Sequence, residues 1–135
     1  MSDDGPPLPR LTPETSFFWT SGASGTLRVL RCAACSRWLH PPTPDCRACG
    51  STEVRPEPVS GRAALWSATT SYQKLLPQVE VPYTVAIVAL EEQDDLHLTT
   101  RLVDVAPEDV AVGMPLQVRF EEHGEVFLPL FGPPT

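Results

Sequence analysis

Cys32-Ala-Ala-Cys35, ten intervening residues, then Cys46-Arg-Ala-Cys49-Gly50 contain every cysteine of the 135-residue chain. Each Cys-x-x-Cys turn offers two sulfurs from one tight loop, and four thiolates close a tetrahedron around zinc with Zn–S bonds of about 2.3 Å. The pattern predicts a zinc ribbon in which Cys32, Cys35, Cys46 and Cys49 hold one structural Zn2+ ion. Three other uses compete. Disulfides suit an oxidising compartment, but Asp3 and Asp4 stand where a secretory signal would be basic, so a reducing cytoplasm is expected. A redox pair would open a helix in a strand-helix-strand unit, whereas Pro41, Pro42 and Pro44 follow the first pair. Iron suits the same four sulfurs and stays open. His40 lies in the spacer and is expected to pack rather than ligate, since four thiolates already complete the shell.

Working outward, residues 26–31 alternate Leu27 and Val29 with arginines, which predicts a strand entering the first knuckle. Gly50 follows the second knuckle, where the backbone must curl toward sulfur with φ > 0; Ser36 occupies the equivalent place after the first. Residues 52–59 return as a strand that Pro56 and Pro58 confine to an edge. Upstream, Thr12-Pro13-Glu14 is a helix start, ended by Gly22 or Gly25. Phe17, Phe18 and Trp19 are consecutive in it, so one helical face cannot hide all three rings. They either cover the ribbon or help form a contact with another protein. Residues 1–11 read as a flexible tail, and 12–60 as helix plus ribbon.

From Gly61 the period becomes two, and residues 61–135 read as a second domain. Residues 62–72 place Ala64, Trp66, Ala68, Thr70 and Tyr72 on one face. Residues 83–90 are nearly all apolar and predict a strand buried on both sides. Leu96, Leu98, Thr100 and Leu102 share a face of the third strand. Pro107-Glu108-Asp109 is a helical turn, the Leu116, Val118, Phe120 alternation is a fourth strand, and residues 126–131 are a fifth. Five strands with a helical turn between the third and fourth predict an OB-fold barrel, making the protein mainly β. An immunoglobulin-like sandwich would need about seven strands.

Composition sets limits on function. Sixteen prolines and no apolar run near 18 residues argue against long helices and membrane spans. The net charge of −7 opposes general nucleic-acid binding, which depends on neutralising phosphates. Six of the ten basic residues nevertheless fall in residues 26–62, Arg37 and Arg47 among them. They form either a solvated face or a contact for an anionic group such as a cofactor's phosphates. Residues 73–82 carry Leu75 and Leu76 in a proline-bounded loop that either folds over the barrel mouth or meets a partner or an acyl chain.

Taken in order, Phe17-Phe18-Trp19, Cys32-x-x-Cys35, His40-Pro41-Pro42, Cys46-x-x-Cys49-Gly50-Ser51, Gly61-Arg62, Val81-Pro82 and Gly113-Met114-Pro115 carry a specific resemblance. The chain is similar to the acyl-CoA-associated family that joins a rubredoxin-like zinc ribbon to an OB-fold. The likeness covers nearly everything beyond Arg10. It departs from the usual pattern at Ser36, where glycine is common, and at Arg47, where proline is common. The resemblance implies a partner subunit of thiolase-superfamily enzymes. These are acetoacetyl-CoA thiolase assemblies in archaea and lipid-transfer-protein-like thiolases or aldolases in bacteria, including those of steroid side-chain degradation. It also implies zinc on the four cysteines and a barrel that helps shape the CoA channel.

No catalytic constellation is visible, because His40, His97 and His123 lie in separate elements without an evident acid or serine partner. The sequence therefore predicts an accessory subunit without catalytic residues of its own. It meets a thiolase-like or lipid-transfer-protein-like enzyme subunit, with acyl-CoA at the shared interface and Phe17, Phe18, Trp19, Arg37, Arg47, Leu75 and Leu76 as candidate contacts. The alternative, a single-stranded nucleic-acid binder, wants a basic groove with stacking aromatics. Only Lys74, Arg101 and Arg119 supply bases beyond Arg62.

Overall fold

Strand β1 (Arg28–Cys32) is buried from both sides. The computed structural model describes residues 8–74 and 80–134; Leu75, Leu76 and most of the expected tail lie outside the described residues. Val29 of β1 points into a core shared with the C-terminal half, while Leu30 and Cys32 point into a smaller cluster with Leu39 and Cys46. β1 pairs antiparallel with β2 (Trp38–Leu39) on one side and β3 (Val54–Pro58) on the other. β3 is an edge strand, the place where Pro56 and Pro58 cost no ladder hydrogen bonds.

Five further strands, β4 (Arg62–Ser71), β5 (Tyr83–Leu90), β6 (His97–Leu102), β7 (Pro115–His123) and β8 (Val126–Gly132), close a barrel in the order β4-β5-β6-β8-β7. The closure between β6 and β8 is a parallel pairing of Leu102 with Phe131. A 3-10 turn, Pro107–Asp109, lies between β6 and β7 as expected. The barrel interior packs Leu65, Val88, Leu90, Leu98, Leu116 and Phe131, and the same core takes in Leu27, Trp38 and Val59 from the ribbon side. No helix among the described residues is long and apolar enough to cross a membrane.

Three local expectations need correction. The single face proposed for the first barrel strand does not exist: a β-bulge between Leu65 and Ser67 switches parity. Ala63 and Leu65 point inward before it, whereas Ala68 and Thr70 pair with the inward Ala86 and Thr84 after it, and Trp66 is left outside, 55% exposed. An extra residue in one strand does this wherever it is inserted. β5 is buried on one face only, with Thr84, Ala86, Val88 and Leu90 inside and Val85 exposed.

The N-terminal helix α1 (Ser16–Trp19) is a single turn, followed by a 3-10 turn over Ser21–Ser24. Thr12 accepts the N–H groups of Thr15 and Ser16 at 3.1 and 2.8 Å, so the chain begins to turn where expected. The helix then stops because the hydroxyls of Thr20 and Ser21 donate to the carbonyls of Ser16 and Phe17, at 2.7 and 2.8 Å. Such hydroxyl bonds compete with the helix ladder.

Candidate metal centre and its flanking clefts

The two knuckles bring four sulfurs together. Cys32 and Cys49 lie 3.6 Å apart, as do Cys35 and Cys46, and all four ligand atoms fall within 4.8 Å of one another. A tetrahedron with Zn–S bonds of 2.3 Å has edges of about 3.8 Å, whereas a disulfide needs about 2.0 Å. The donor set fits a tetrahedral thiolate site. In both knuckles a backbone N–H points at the first sulfur: that of Cys35 donates to Cys32 Sγ and that of Ala48 to Cys46 Sγ, both at 3.4 Å. The following residues, Ser36 and Gly50, take positive φ values of 68° and 79°. Their N–H groups donate to the Cys32 and Cys46 carbonyls at 2.9 and 2.8 Å. The knuckle requires that conformation whichever residue fills it, and serine bears the steric cost that glycine avoids.

Without a cation the four thiols cannot all ionise. The Cys49 N–H, acting against burial and aided by the Ala48 N–H, pulls the Cys46 thiol down to about 6. Cys32 is lowered by the Cys35 N–H in the same way. At Cys49 the Ser51 N–H favours the thiolate, but Cys32, burial and the remaining sulfurs outweigh it and push the thiol up to about 12. Crowded thiolates of this kind need a divalent ion for all four to be charged together.

His40 stands outside this cluster, as expected, with its ring 4.9 Å from that of Phe18. Its Nδ1 is buried without a hydrogen-bond partner among the described residues, and burial pushes the imidazole down to about 4. A native state that holds His40 neutral binds fewer protons than the unfolded chain below pH 6.5, so stability falls as pH drops from 6.5 toward 4. The expected loss is of order 2 kcal/mol. Comparing urea unfolding of the wild type and His40→Asn across that range checks it, because thiolate protonation is common to both proteins. Parallel pH profiles would remove His40 as the cause.

The structure separates the other expected contacts. Phe18 is 4% exposed and belongs to the core, with what remains of its surface at the apolar cleft beside Trp19. Phe17 bridges the two apolar clusters, and Trp19 packs edge-on against Phe18 with centroids 4.8 Å apart. Trp19, His40, Pro41 and His97 line an apolar cleft of about 390 Å3 between helix, ribbon and barrel. Arg37 and Arg47 come together across a second cleft of about 280 Å3. Arg47 is exposed, but Arg37 is ion-paired with Asp95, which it holds below the usual carboxylate range.

Sequence reading missed the residues that dock ribbon to barrel. Gln93, in the turn between β5 and β6, accepts the Trp38 N–H at 2.9 Å and donates to the Trp38 carbonyl at 3.1 Å. Glu92 accepts the Ser60 N–H at 2.8 Å. Nothing local marks these side chains, because their partners are about thirty to fifty-five positions away.

Comparison with known proteins bears on this geometry. Residues 19–55 match a family model described as the ChsH2 rubredoxin-like zinc ribbon domain, and residues 56–121 the ChsH2 C-terminal OB-fold domain. A solved structure of the Ltp2-ChsH2(DUF35) aldolase contains a chain 33% identical, superposing with a TM-score of 0.85 over 93% of this chain and 98% of that one. A DUF35 domain-containing scaffold protein of Methanocaldococcus jannaschii is 31% identical over 103 residues, 71% of this chain and 70% of its own. The 3-oxo-4,17-pregnadiene-20-carboxyl-CoA hydratase alpha subunit of Mycobacterium tuberculosis is 29% identical over 120 residues, 89% of this chain. The chain spans 38% of that subunit and 40% of a 34% identical hydratase alpha subunit from Thermomonospora curvata. With both family models matched in order and a solved homologue overlapping it nearly end to end, the chain belongs to the ChsH2 family of proteins that join a rubredoxin-like zinc ribbon to an OB-fold.

Proposed function

We propose that the chain is a non-catalytic accessory subunit of a thiolase-superfamily enzyme, an acyl-CoA thiolase or a lipid-transfer-protein-like retro-aldolase of steroid or other lipid breakdown. It stabilises that enzyme and contributes part of the acyl-CoA site. The observation that carries this reading is the near end-to-end likeness to a chain of the Ltp2-ChsH2(DUF35) aldolase. In this reading Cys32, Cys35, Cys46 and Cys49 hold one zinc ion that acts only on the fold. Arg37 and Arg47 face CoA phosphates across their cleft, and Phe17 and Trp19 border the partner.

The histidines fit a supporting role. His40 is half-buried and held neutral, His97 stacks on Trp66 with centroids 4.6 Å apart, and His123 contacts Glu121 at 2.7 Å. Single-stranded nucleic acid has little to hold on the barrel, since Arg62, Arg101 and Arg119 are paired with Glu91, Glu121 and Asp104. Such pairs leave few cations to release counterions from phosphates.

Co-expression with a lipid-transfer-protein-like aldolase or thiolase tests the reading. A stable heteromeric complex is expected, with acyl-CoA turnover only when the enzyme subunit is present and reduced turnover for Arg47→Glu. Turnover by the isolated chain, or an enzyme equally stable and active without it, would refute the proposal.

A further inference from the structure

The outer face of β4, β5 and β6 is unlike the rest of this chain. Register and burial place Ser67, Ile87 and Thr99 in one outward cross-strand row and Thr69, Val85 and Arg101 in the next. Arg101 is the only charged side chain in these rows, and Glu121 of β7 takes it up at 3.3 Å. Trp66, the residue left unpaired at the bulge, is exposed beside these rows and stacks on His97. A solvent-facing sheet surface normally alternates its buried face with charged or polar side chains. The centre of a protein interface is depleted in charge and enriched in tryptophan, and this face combines an exposed Trp66 and Val85 with rows that carry no charge but the paired Arg101. The face also runs through His97 into the apolar cleft bordered by Trp19.

We propose that this face, centred on Thr69, Val85 and Trp66, is the docking surface for the enzyme subunit, an inference that rests on the accessory-subunit reading. The occupant is a different protein with an uncharged, partly apolar patch that offers hydrogen bonds to the hydroxyls and an apolar side chain to the cleft. A second copy of this chain fits poorly. Each copy carries a net charge of −7, which a four-thiolate zinc cluster makes more negative, and pairing two such bodies adds repulsion that a less acidic partner avoids. The bulge lets Trp66 and Ser67, consecutive in sequence, both stand on this outer face, which strict alternation would forbid.

Binding of the co-expressed aldolase or thiolase subunit to Thr69→Glu, Val85→Glu and the control Val112→Glu tests this. All three sites are exposed, and Val112, at 77% exposure, lies in the loop before β7. The two face variants should melt like the wild type yet bind at least about tenfold more weakly, because each buries an unpaired charge on docking. The control should bind normally. Wild-type affinity in both face variants, or a homodimer that forms through this face while the enzyme still binds, would overturn the surface and leave the accessory reading intact. Failure of the wild type itself to bind would overturn the accessory reading and the surface with it.

Discussion

Replacing Cys46 by serine is expected to abolish stoichiometric zinc and unfold the ribbon. Cys46 is 2% exposed and sits in a cluster whose other buried members are Leu30, Cys32 and Leu39. Burying the two leucines contributes about 3–6 kcal/mol, whereas zinc binding by modules of this size supplies about 10–16 kcal/mol that is also folding free energy. Losing one of four ligands therefore removes more stabilisation than the apolar cluster can replace. Because Leu27, Val29 and Trp38 belong to the same core as the barrel strands, barrel stability should fall as well. Metal analysis together with thermal unfolding, before and after chelation, checks this. One zinc per wild-type chain is expected, with none retained by Cys46→Ser and a lost or much lower melting transition. A metal-free protein with an unchanged cooperative transition would exclude a structural metal.

Gly22→Ala should cost about 3 kcal/mol, the upper end of the range for overpacking. A Cβ at this position would overlap the Phe127 Cβ and come within 2.7 Å of the Phe120 ring. Phe127 is paired with Glu122 across β7 and β8, so its Cβ cannot withdraw without shifting the ladder. Gly25 is the internal comparison. It has φ 74° with nothing within 4 Å of the place a methyl group would occupy, so Gly25→Ala bears only the backbone cost of about 1 kcal/mol. Urea unfolding of both variants measures the difference, and an equal or smaller loss for Gly22→Ala would show that the 3-10 turn is free to lift off the barrel.

These two positions divide what could be read from the chain alone from what could not. The metal centre was legible because its information is local. Two Cys-x-x-Cys turns bring their sulfurs together through the same short backbone path in each knuckle, down to the positive φ at Ser36 and Gly50. The five barrel strands were legible because a buried face repeats every second residue, and Leu96, Leu98, Thr100 and Leu102 keep that period without interruption. Its failure in β4 has a physical cause: the bulge at Trp66 is fixed by pairing with β5, and alternation alone assigns the wrong face to every residue beyond it. Gly22 looked like a helix stop, and only its approach to Phe120 and Phe127 makes it a packing residue. The consecutive rings Phe17, Phe18 and Trp19 could be identified as too many for one face, but which of them would be core depended on where ribbon and barrel meet. Gln93 and Asp95 carried no signal at all, since the backbone and guanidinium they bind at Trp38 and Arg37 are more than fifty residues away. The sequence alone thus determined which four cysteines cluster and the five barrel strands, because short-range periodicity and spacing encode them. Tertiary structure alone decided the strand faces beyond the bulge, the docking of ribbon on barrel and the uncharged outer sheet, because each depends on contacts between residues far apart in the chain.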